Sequence, residues 1–193
     1  MAEKRRLQKE QTRQKIMNAA MKVYSEHGFS AATSVIAGEA RVSHGSVFVH
    51  FPAVENLLVS LLELFSNDLN IELHSLSESG NDIKKLLNVH INALIKHEAF
   101  YKRLINETVY LPMEAKNCFI AIQSMVSVHF SRALEHGIRA GKIKKLPLHM
   151  LFNIWLGLVH YYLLNSSLFA PDGSVLKRYK KTLIESYLIL IKN

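Results

Sequence analysis

The chain has 193 residues, of which 49% are hydrophobic, and a formal net charge of +8. This length suits a single domain or a small domain fused to a larger one, and the hydrophobic content is sufficient for a sizeable core. A lone cysteine, Cys118, excludes an internal disulfide, and the charged N-terminal sequence lacks the apolar stretch of a secretory signal, so we expect a cytoplasmic protein.

Positive charge is concentrated at the N-terminus. Residues 1–22 contain seven Lys or Arg and two Glu, a surplus of five positive charges. A basic arm of this kind favours a polyanionic partner such as DNA, and Lys4, Arg5 and Arg6 are our candidates for contacts to it. Taken alone, the arm is equally compatible with a solvated tail.

Apolar residues recur at helical spacing along the chain, and no sustained alternating pattern of a strand is present. We therefore predict an all-α fold of about nine helices. Residues 77–81 and 171–173 are predicted to be loops, and Ser174 to cap the last helix. The helices are expected at about residues 9–27, 34–40, 43–50, 52–76, 82–96, 98–108, 112–140, 148–169 and 175–192.

We interpret residues 33–51 as the functional element that the rest of the chain supports. Their sequence is TSVIAGEARVSHGSVFVHF. They predict two short helices joined by a turn at residues 41–42, with Ser43 capping the second helix. Val47 and Phe51 should face inward, which leaves a small, polar outer face. That is the shape of a helix that enters the major groove of DNA.

A long helix beginning at Pro52 is expected to leave this small domain and enter a larger one. We place an arm and helix-turn-helix DNA-binding domain at residues 1–51, and a ligand-binding and dimerisation domain at residues 52–193. Residues 148–164 are mostly apolar, but a membrane span needs roughly 20 consecutive apolar residues, and polar side chains interrupt this run. We expect a helix buried in a core and a subunit interface, with no membrane partner.

The N-terminal pattern resembles the DNA-binding domain of the TetR family of bacterial transcription regulators over residues 12–58. The matching positions are Thr12, Arg13, Ile16, Ala19, Ala20, Tyr24, Gly28, Phe29, Ile36, Ala37, Ala40, Val42, Ser43, Gly45, Phe48, His50, Phe51, Glu55 and Leu57. Over residues 59–193 the chain is similar only in its helical plan. The resemblance implies a homodimer paired through its last two helices, bound to a palindromic operator in double-stranded DNA and released by a small-molecule effector.

Position by position, the resemblance implies phosphate contacts at one set of residues and base contacts at another. The base-reading set is His44, Ser46 and Val49, whose imidazole, hydroxyl and methyl groups suit donor, acceptor and thymine-methyl positions of the major groove. A contact of His44 with phosphate only is the alternative at that position. The phosphate set is Thr33 or Ser34, Ser43, Gly45, Ser46, Phe48 and His50.

Four features depart from the family pattern. The glycine of the turn is Arg41, the usual tyrosine is Phe48, the usual lysine after the motif is Val54, and the segment from 28 to 36 is one residue shorter. If the turn is left-handed, Arg41 costs stability there. Because two phosphate-binding groups are missing, we expect the basic arm and Arg41 to supply more of the attraction to DNA.

Aromatic and methionine side chains are frequent in the C-terminal part, and they suit a ligand pocket and a filled core equally well. Few charged residues fall on the inward helix faces, so we expect an apolar or weakly polar effector. The candidate ligand-binding residues are Phe65, Leu94, Tyr101, Tyr110, Met113, Phe119, Ile122, Met125, Trp155 and Tyr161. The candidate dimer contacts are Leu158, Tyr162, Leu163, Leu183, Tyr187 and Leu190.

Metal, cofactor and catalytic signals are weak. Histidines such as His90 and His97 share a helix face, but no cysteine or carboxylate cluster joins them as a metal site requires. No nucleophile elbow, phosphate-binding glycine loop or paired-carboxylate motif is present. We expect no metal, no cofactor and no catalytic residue. The sequence thus indicates a ligand-responsive DNA-binding regulator, most often a repressor in this family. The alternatives are a TetR-like interaction or ligand-binding protein without operator recognition, and an enzyme with a vestigial DNA-binding head.

Overall fold

The computed structural model describes residues 1–77 and 82–193. Within these residues the predicted all-α fold is confirmed, with ten α-helices, one short 3-10 helix and no β-strand. The 3-10 helix is Thr108–Tyr110. The α-helices are α1 (Ala2–His27), α2 (Thr33–Ala40), α3 (His44–His50), α4 (Val54–Ser77), α5 (Ile83–Lys96), α6 (Glu98–Glu107), α7 (Met113–Arg139), α8 (Leu148–Leu164), α9 (Ser166–Phe169) and α10 (Val175–Ile191).

Two compact units make up the chain. Unit 1 consists of Met1–Leu64 and Ala99–Cys118, and unit 2 consists of Phe65–Glu98 and Phe119–Asn193. Unit 1 therefore contains α1, α2 and α3 together with the start of α4, nearly all of α6 and the first turns of α7. Unit 2 contains α5, α8, α9 and α10 with the remaining parts of α4 and α7.

The core of unit 1 is built on the apolar stripe of α1. Ile16, Ala20 and Tyr24, spaced by four residues, are each at most 1% exposed. Helix α1 packs on α2, and α2 on α3. Ile36 of α2 and Val47 of α3 are buried in the same unit, so apolar side chains hold the two short helices, and the inward position predicted for Val47 is confirmed.

An aromatic core holds unit 2 together. Trp155 of α8 and Tyr187 of α10 are both 0% exposed, with ring centroids 5.4 Å apart. The hydroxyl of Tyr187 donates to the carbonyl of Leu151 at 2.9 Å, so this buried polar group is satisfied. Helix α10 packs against both α5 and α8, which makes α8 and α10 neighbours within one chain.

Three predicted helix bounds were wrong. Helix α1 begins at Ala2 and not near residue 9, because its first residues are mostly Lys, Arg, Glu and Gln, which favour helix without any apolar periodicity. Helix α4 begins at Val54 and not at Pro52, since the Ala53 N–H donates to the side chain of Asn56 at 3.0 Å. The predicted helix at 148–169 is interrupted at Asn165, whose side chain donates to the Tyr161 carbonyl at 2.8 Å.

Other expected features agree with the structure where it describes them. Ser174 caps α10 by accepting from the Lys177 N–H at 2.9 Å, as predicted. Ser77 belongs to α4, and the remainder of the predicted loop at 77–81 lies outside the described residues. No single helix of the described chain is both long and apolar enough to cross a membrane. Helix α3 and residues 54–74 of α4 pass that test only as a bent pair, by length and composition.

Candidate DNA-binding site

The turn between α2 and α3 depends on a left-handed residue. Arg41 has φ 55° and ψ 45°, and it is the one non-glycine residue with positive φ in the described chain. Its N–H and that of Val42 bond back to α2 carbonyls, which ends the helix. The turn is therefore left-handed at Arg41, which is the case in which the sequence predicts a loss of stability. A side chain in this conformation costs roughly 1–2 kcal/mol of stability.

Helix α3 presents the faces that its sequence predicts. Ser43 is the N-cap, since its Oγ accepts from the Ser46 N–H at 3.2 Å. Val47 is 1% exposed and Phe51 2%, whereas Val49 is 71% exposed. The apolar inner face anchors the helix to unit 1. The opposite face is exposed and can contact the groove of a DNA duplex.

A hydrogen bond that the sequence did not predict joins α2 to α3. Nε2 of His44 lies 2.8 Å from Oγ1 of Thr33, and the His44 ring also stands edge-on to Phe48 with centroids 5.1 Å apart. Two contacts therefore hold the imidazole in one orientation. Because Nε2 is occupied by Thr33, Nδ1 is the ring nitrogen left for a base or phosphate.

His50 ends α3 in a different environment. Its Nδ1 is buried and has no hydrogen-bond partner among the described residues. Burial, followed by the charges of Lys9 and Arg13, lowers the pKa of His50 below its usual value of 6.5, although Glu10 acts in the opposite direction. At neutral pH this side chain is thus an uncharged imidazole, and any phosphate contact it makes lacks a full positive charge.

Positive charge around α3 comes from α1. Arg13 lies with its guanidinium 4.6 Å from the centre of the Phe51 ring and donates to Ser60 Oγ at 3.1 Å. Lys4, Arg5 and Arg6 are exposed on the first turns of α1. The basic arm is therefore an extension of a helix that is anchored in the same unit as α3.

A clamp between α1 and α6 was also absent from the sequence-based prediction. The Arg103 guanidinium donates to the carbonyls of Ser25 at 3.3 Å and Glu26 at 2.7 Å, and to Glu107 Oε1 at 3.2 Å. These carbonyls belong to the last turn of α1, where no intrahelical donor is available. No pattern in the sequence pairs residues so far apart along the chain, so only packing shows this contact.

Glycine is required at the position that follows α1. Gly28 has φ +82°, and a Cβ placed there would lie 2.7 Å from Glu107 Oε1. The other carboxylate oxygen of Glu107 accepts from the Phe29 N–H at 2.9 Å. The glycine thus ends α1 in a conformation that side chains disfavour and leaves room for the carboxylate.

The candidate ligand-binding residues do not form one described cluster. Phe65, Leu94, Phe119, Ile122 and Trp155 are buried in unit 2, where Met125 is half-buried and Tyr161 is 58% exposed. Tyr101 is buried in unit 1, but Tyr110 and Met113, on the 3-10 helix and the start of α7, are 85% and 70% exposed. Tyr110 lines a cavity of unit 1 together with residues of α1 and α4.

Trp155 has a polar partner that the sequence did not indicate. Its Nε1 donates to Nδ1 of His90 at 3.1 Å. His90 is 2% exposed, and burial, with a smaller effect of His160, lowers its pKa to about 3. The interior of unit 2 therefore contains a neutral imidazole and not a charge.

Half of the candidate dimer contacts lie in the core of their own unit. Leu163, Leu183 and Tyr187 are at most 2% exposed, so they pack within one chain and are not available as surface contacts. Leu158 and Tyr162 are half-buried, and Leu190 is 53% exposed. The prediction of a partner-facing role for the three buried residues was wrong, because α8 and α10 turn their most apolar faces towards each other.

Comparison with known proteins gives the following similarities. Residues 16–61 match the family described as bacterial regulatory proteins, tetR family. The chain is 25% identical to the uncharacterized HTH-type transcriptional regulator YuxN of Bacillus subtilis (strain 168), a match over 62% of this chain that spans 44% of that relative's length. It is 25% identical to the HTH-type transcriptional regulator AcrR of Shigella flexneri over 98% of this chain and 95% of AcrR. A TetR-family regulator from Agrobacterium tumefaciens has the same fold, with a TM-score of 0.79 and 18% identity over 96% of this chain and 100% of that one.

Proposed function

We propose that this chain, which belongs to the TetR family of bacterial regulatory proteins, binds a palindromic operator as a homodimer and leaves it when a small effector binds. The observation that carries the proposal is the outer face of α3. A left-handed turn and a serine cap fix this short helix on unit 1. Its outer face presents the exposed His44, Phe48 and Val49 and the half-buried Ser46, and none of these side chains carries a formal charge. We expect a repressor, and no enzymatic activity.

Base reading is assigned to His44, Ser46 and Val49. His44 is supported by the orientation that Thr33 and Phe48 impose on its ring, because a side chain held in place loses little entropy on binding. Its Nδ1 can face a guanine acceptor or an adenine amino group according to the tautomer, and Val49 can contact a thymine methyl group. Each good contact is worth about 1–3 kcal/mol of discrimination against the wrong base pair.

Phosphate contacts are assigned to the residues around α3 and to the arm. The candidates near α3 are Thr33, Ser34, Arg41, Ser43, Gly45, Ser46, Phe48 and His50. Since α3 has no formally charged side chain and His50 is neutral, Arg41 and the exposed Lys4, Arg5 and Arg6 are proposed to supply most of the attraction. If roughly 6–10 phosphates are neutralised per dimer, the logarithm of the affinity should fall linearly with the logarithm of the salt concentration. The slope should be about −0.9 for each phosphate contact.

Homodimerisation is proposed to use the outward faces of α8 and α10. Exposed apolar side chains follow α8 at helical spacing, with Met150 50%, Ile154 37%, Tyr161 58% and Leu164 46% exposed. Leu190 of α10 is also exposed at 53%. Such a stripe is costly in water, and a second copy of the same chain would cover it with a matching surface. Two copies would carry two α3 helices to the half-sites of a palindrome.

The effector is proposed to be apolar or weakly polar and to bind among the C-terminal helices. Support comes from the interior of unit 2, where the buried candidates Phe65, Leu94, Phe119, Ile122 and Trp155 are uncharged and the buried His90 is a neutral imidazole. A charged effector would lose its hydration there without a compensating partner. An uncharged molecule fits this interior better.

The test is a selection of DNA fragments from the source genome by the purified protein at moderate salt. A double variant, His44→Ala with Ser46→Ala, removes the proposed base contacts. The matched control is His136→Ala with Ser124→Ala, which removes the same two side-chain types at exposed positions of α7. We expect the wild type and the control to enrich a palindrome with half-sites about one helical turn apart, and the α3 variant to enrich none.

Two results would contradict the proposal. One is that no fragment is enriched by the wild type, or that all DNA is bound alike through the basic arm. The other is that the α3 double variant enriches the same palindrome as the wild type. The first result would favour an interaction protein that no longer reads an operator, and the second would assign sequence recognition to another part of the chain.

A further inference from the structure

Unit 1 contains a cavity of about 550 Å³ that the proposed function does not use. It is formed by the end of α1 and the turn that follows, by the first turns of α4, and by α6 with the segment leading to α7. All of these elements lie in the unit that carries α3. The volume is within the usual range of small-molecule sites, about 300–1,000 Å³.

Two of the charged groups that line this cavity already have partners. Arg103 donates to two α1 carbonyls and to Glu107 Oε1, and Glu107 Oε2 accepts from the Phe29 N–H. Glu55, in the first turn of α4, also lines the cavity, and its carboxylate has no hydrogen bond or ion pair with any described residue. The lining thus has a surplus of one negative charge, in a chain whose net charge is +8.

Tyr24 also lines the cavity, but its hydroxyl has almost no accessible surface, so an occupant would meet other atoms of this side chain. Tyr24 is 1% exposed, and its buried hydroxyl has no hydrogen-bond partner among the described residues. Burial raises the pKa of Tyr24 to about 12, and the nearby negative charge of Glu55 contributes, so the group stays protonated. A buried hydroxyl without a partner is rare, because its desolvation is uncompensated.

The remaining lining is largely apolar. Phe29 lies between Tyr24 and Phe100, with ring centroids 5.4 Å and 5.6 Å away, and Leu58 and Pro112 contribute further apolar surface. An occupant that matches these groups has one positively charged donor and an apolar body. The donor would meet the free carboxylate of Glu55, and the body would cover the apolar lining.

We infer that this cavity binds a small organic cation, a primary amine with an aryl or short aliphatic body, through the carboxylate of Glu55. The site differs in place and in chemistry from the uncharged effector site proposed among the C-terminal helices. It does not depend on whether the chain recognises an operator, because every group involved is described within unit 1.

The test uses ¹⁹F NMR titrations of the full-length protein at pH 7 with three probes of nearly equal size. They are 4-fluorobenzylamine, 4-fluorobenzyl alcohol and 4-fluorobenzoate. We expect the amine to bind about tenfold more tightly than the alcohol, since a charge-assisted hydrogen bond is the stronger one. The benzoate should bind most weakly.

Four variants locate the binding. Glu55→Gln should weaken amine binding by about five- to tenfold, and Ser30→Trp, a change at the exposed edge of the cavity, should abolish it. Tyr24→Phe removes a hydroxyl that an occupant does not reach and should leave amine binding unchanged. Glu135→Gln, an exposed glutamate on α7 in unit 2, is the matched control and should bind like the wild type. Glu55 is exposed, so the Glu55→Gln result stands even if a change at the buried Tyr24 impairs folding.

The inference is overturned if the wild type fails to bind the amine, or binds all three probes alike. It is also overturned if amine binding is unchanged in Glu55→Gln or persists in Ser30→Trp. Preference for the alcohol would overturn it too, by showing an apolar cavity without a cation site. Operator selection is a separate readout, so failure of this inference is distinguishable from failure of the proposed function.

Discussion

Nε2 of His44 lies 2.8 Å from Oγ1 of Thr33, so the first residue of α3 is bonded to the first residue of α2. This contact spans the turn at Arg41 and fixes the orientation of the imidazole that is proposed to read a base. It also commits one ring nitrogen to the protein, which leaves the other for DNA. Recognition by His44 is therefore expected to depend on a hydrogen bond made within the protein.

Replacing Thr33 with Val should reduce operator affinity about three- to tenfold, because the His44 ring loses its hydrogen bond and must be ordered on binding. Affinity for unrelated DNA should change less. Fluorescence anisotropy at fixed salt measures both affinities. Thr33→Ser keeps the hydroxyl and should behave like the wild type, and equal operator binding by Thr33→Val would rule out this role of the hydrogen bond.

Replacing Arg41 with Gly should separate backbone strain from charge. Relief of the left-handed conformation, worth about 1–2 kcal/mol, is offset by about 0.5–1 kcal/mol of glycine entropy. The free energy of unfolding in urea should therefore rise by about 0–1.5 kcal/mol. Arg41→Asn tolerates the same backbone conformation and is the uncharged control. Both variants should bind operator more weakly at low salt, and unchanged binding in both would show that Arg41 contacts no phosphate.

The basic start of α1 should set much of the salt dependence of DNA binding. Changing Lys4, Arg5 and Arg6 together to Gln removes three charges per chain and keeps good helix formers. The slope of log affinity against log salt should shrink by about 0.9 for each phosphate that is no longer neutralised. Lys142, Lys144 and Lys145, exposed in unit 2, provide a control triple change to Gln of equal charge. An equal decrease of slope in both triple variants would indicate a general charge effect.

Stability of the chain should decrease as the pH falls, because of the buried His90 and the half-buried His160 of unit 2. The pKa of His90 is lowered to about 3 and that of His160 to about 4, each chiefly by burial. As the pH falls through the unfolded value of about 6.5, the unfolded chain takes up protons that the folded chain does not bind. The contribution of these histidines to the free energy of unfolding is thus complete above about pH 6.5. It is lost as the pH falls towards their pKa values in the folded chain, by at most about 1.4 kcal/mol per pH unit for each histidine.

The variant His90→Gln tests this dependence, since glutamine can still accept a hydrogen bond from Trp155 and does not titrate in this range. Urea unfolding at pH 7, 6 and 5 should show a slope of stability against pH that is smaller by at most about 1.4 kcal/mol per pH unit. Leu163→Val, a buried change in the same unit, should lower stability equally at every pH. A slope in His90→Gln identical to that of the wild type would contradict the assignment to His90.

Sequence periodicity and capping chemistry predicted the parts of the fold that are set locally. The inward positions of Val47 and Phe51 and the caps at Ser43 and Ser174 follow from the spacing of apolar residues and from where a hydroxyl can accept. The first turns of α1 were missed because a helix of charged residues has no apolar period. The break of α8 at Asn165 was missed because a side-chain bond to one carbonyl leaves no pattern.

Contacts between helices were beyond prediction from the sequence. The hydrogen bonds of Arg103 to Ser25 and Glu26 and that of His44 to Thr33 depend on how whole helices pack. The same limit explains why three of the predicted dimer contacts are buried in the core of their own unit. The helical spacing of apolar residues could not decide whether the apolar face of α8 packs against α10 of the same chain or against a partner. In the structure, Leu163 is buried in the core of its own unit.

The most direct test of base reading by α3 is a set of binding measurements on the selected operator with each base pair of one half-site changed in turn. For the wild type we expect changes at the pairs met by α3 to cost about tenfold or more in affinity. His44→Ala should become indifferent to one of those pairs and keep its discrimination at the others. If His44→Ala discriminates at every pair as the wild type does, or weakens uniformly on all DNA, α3 does not read bases through His44 and the central claim is contradicted.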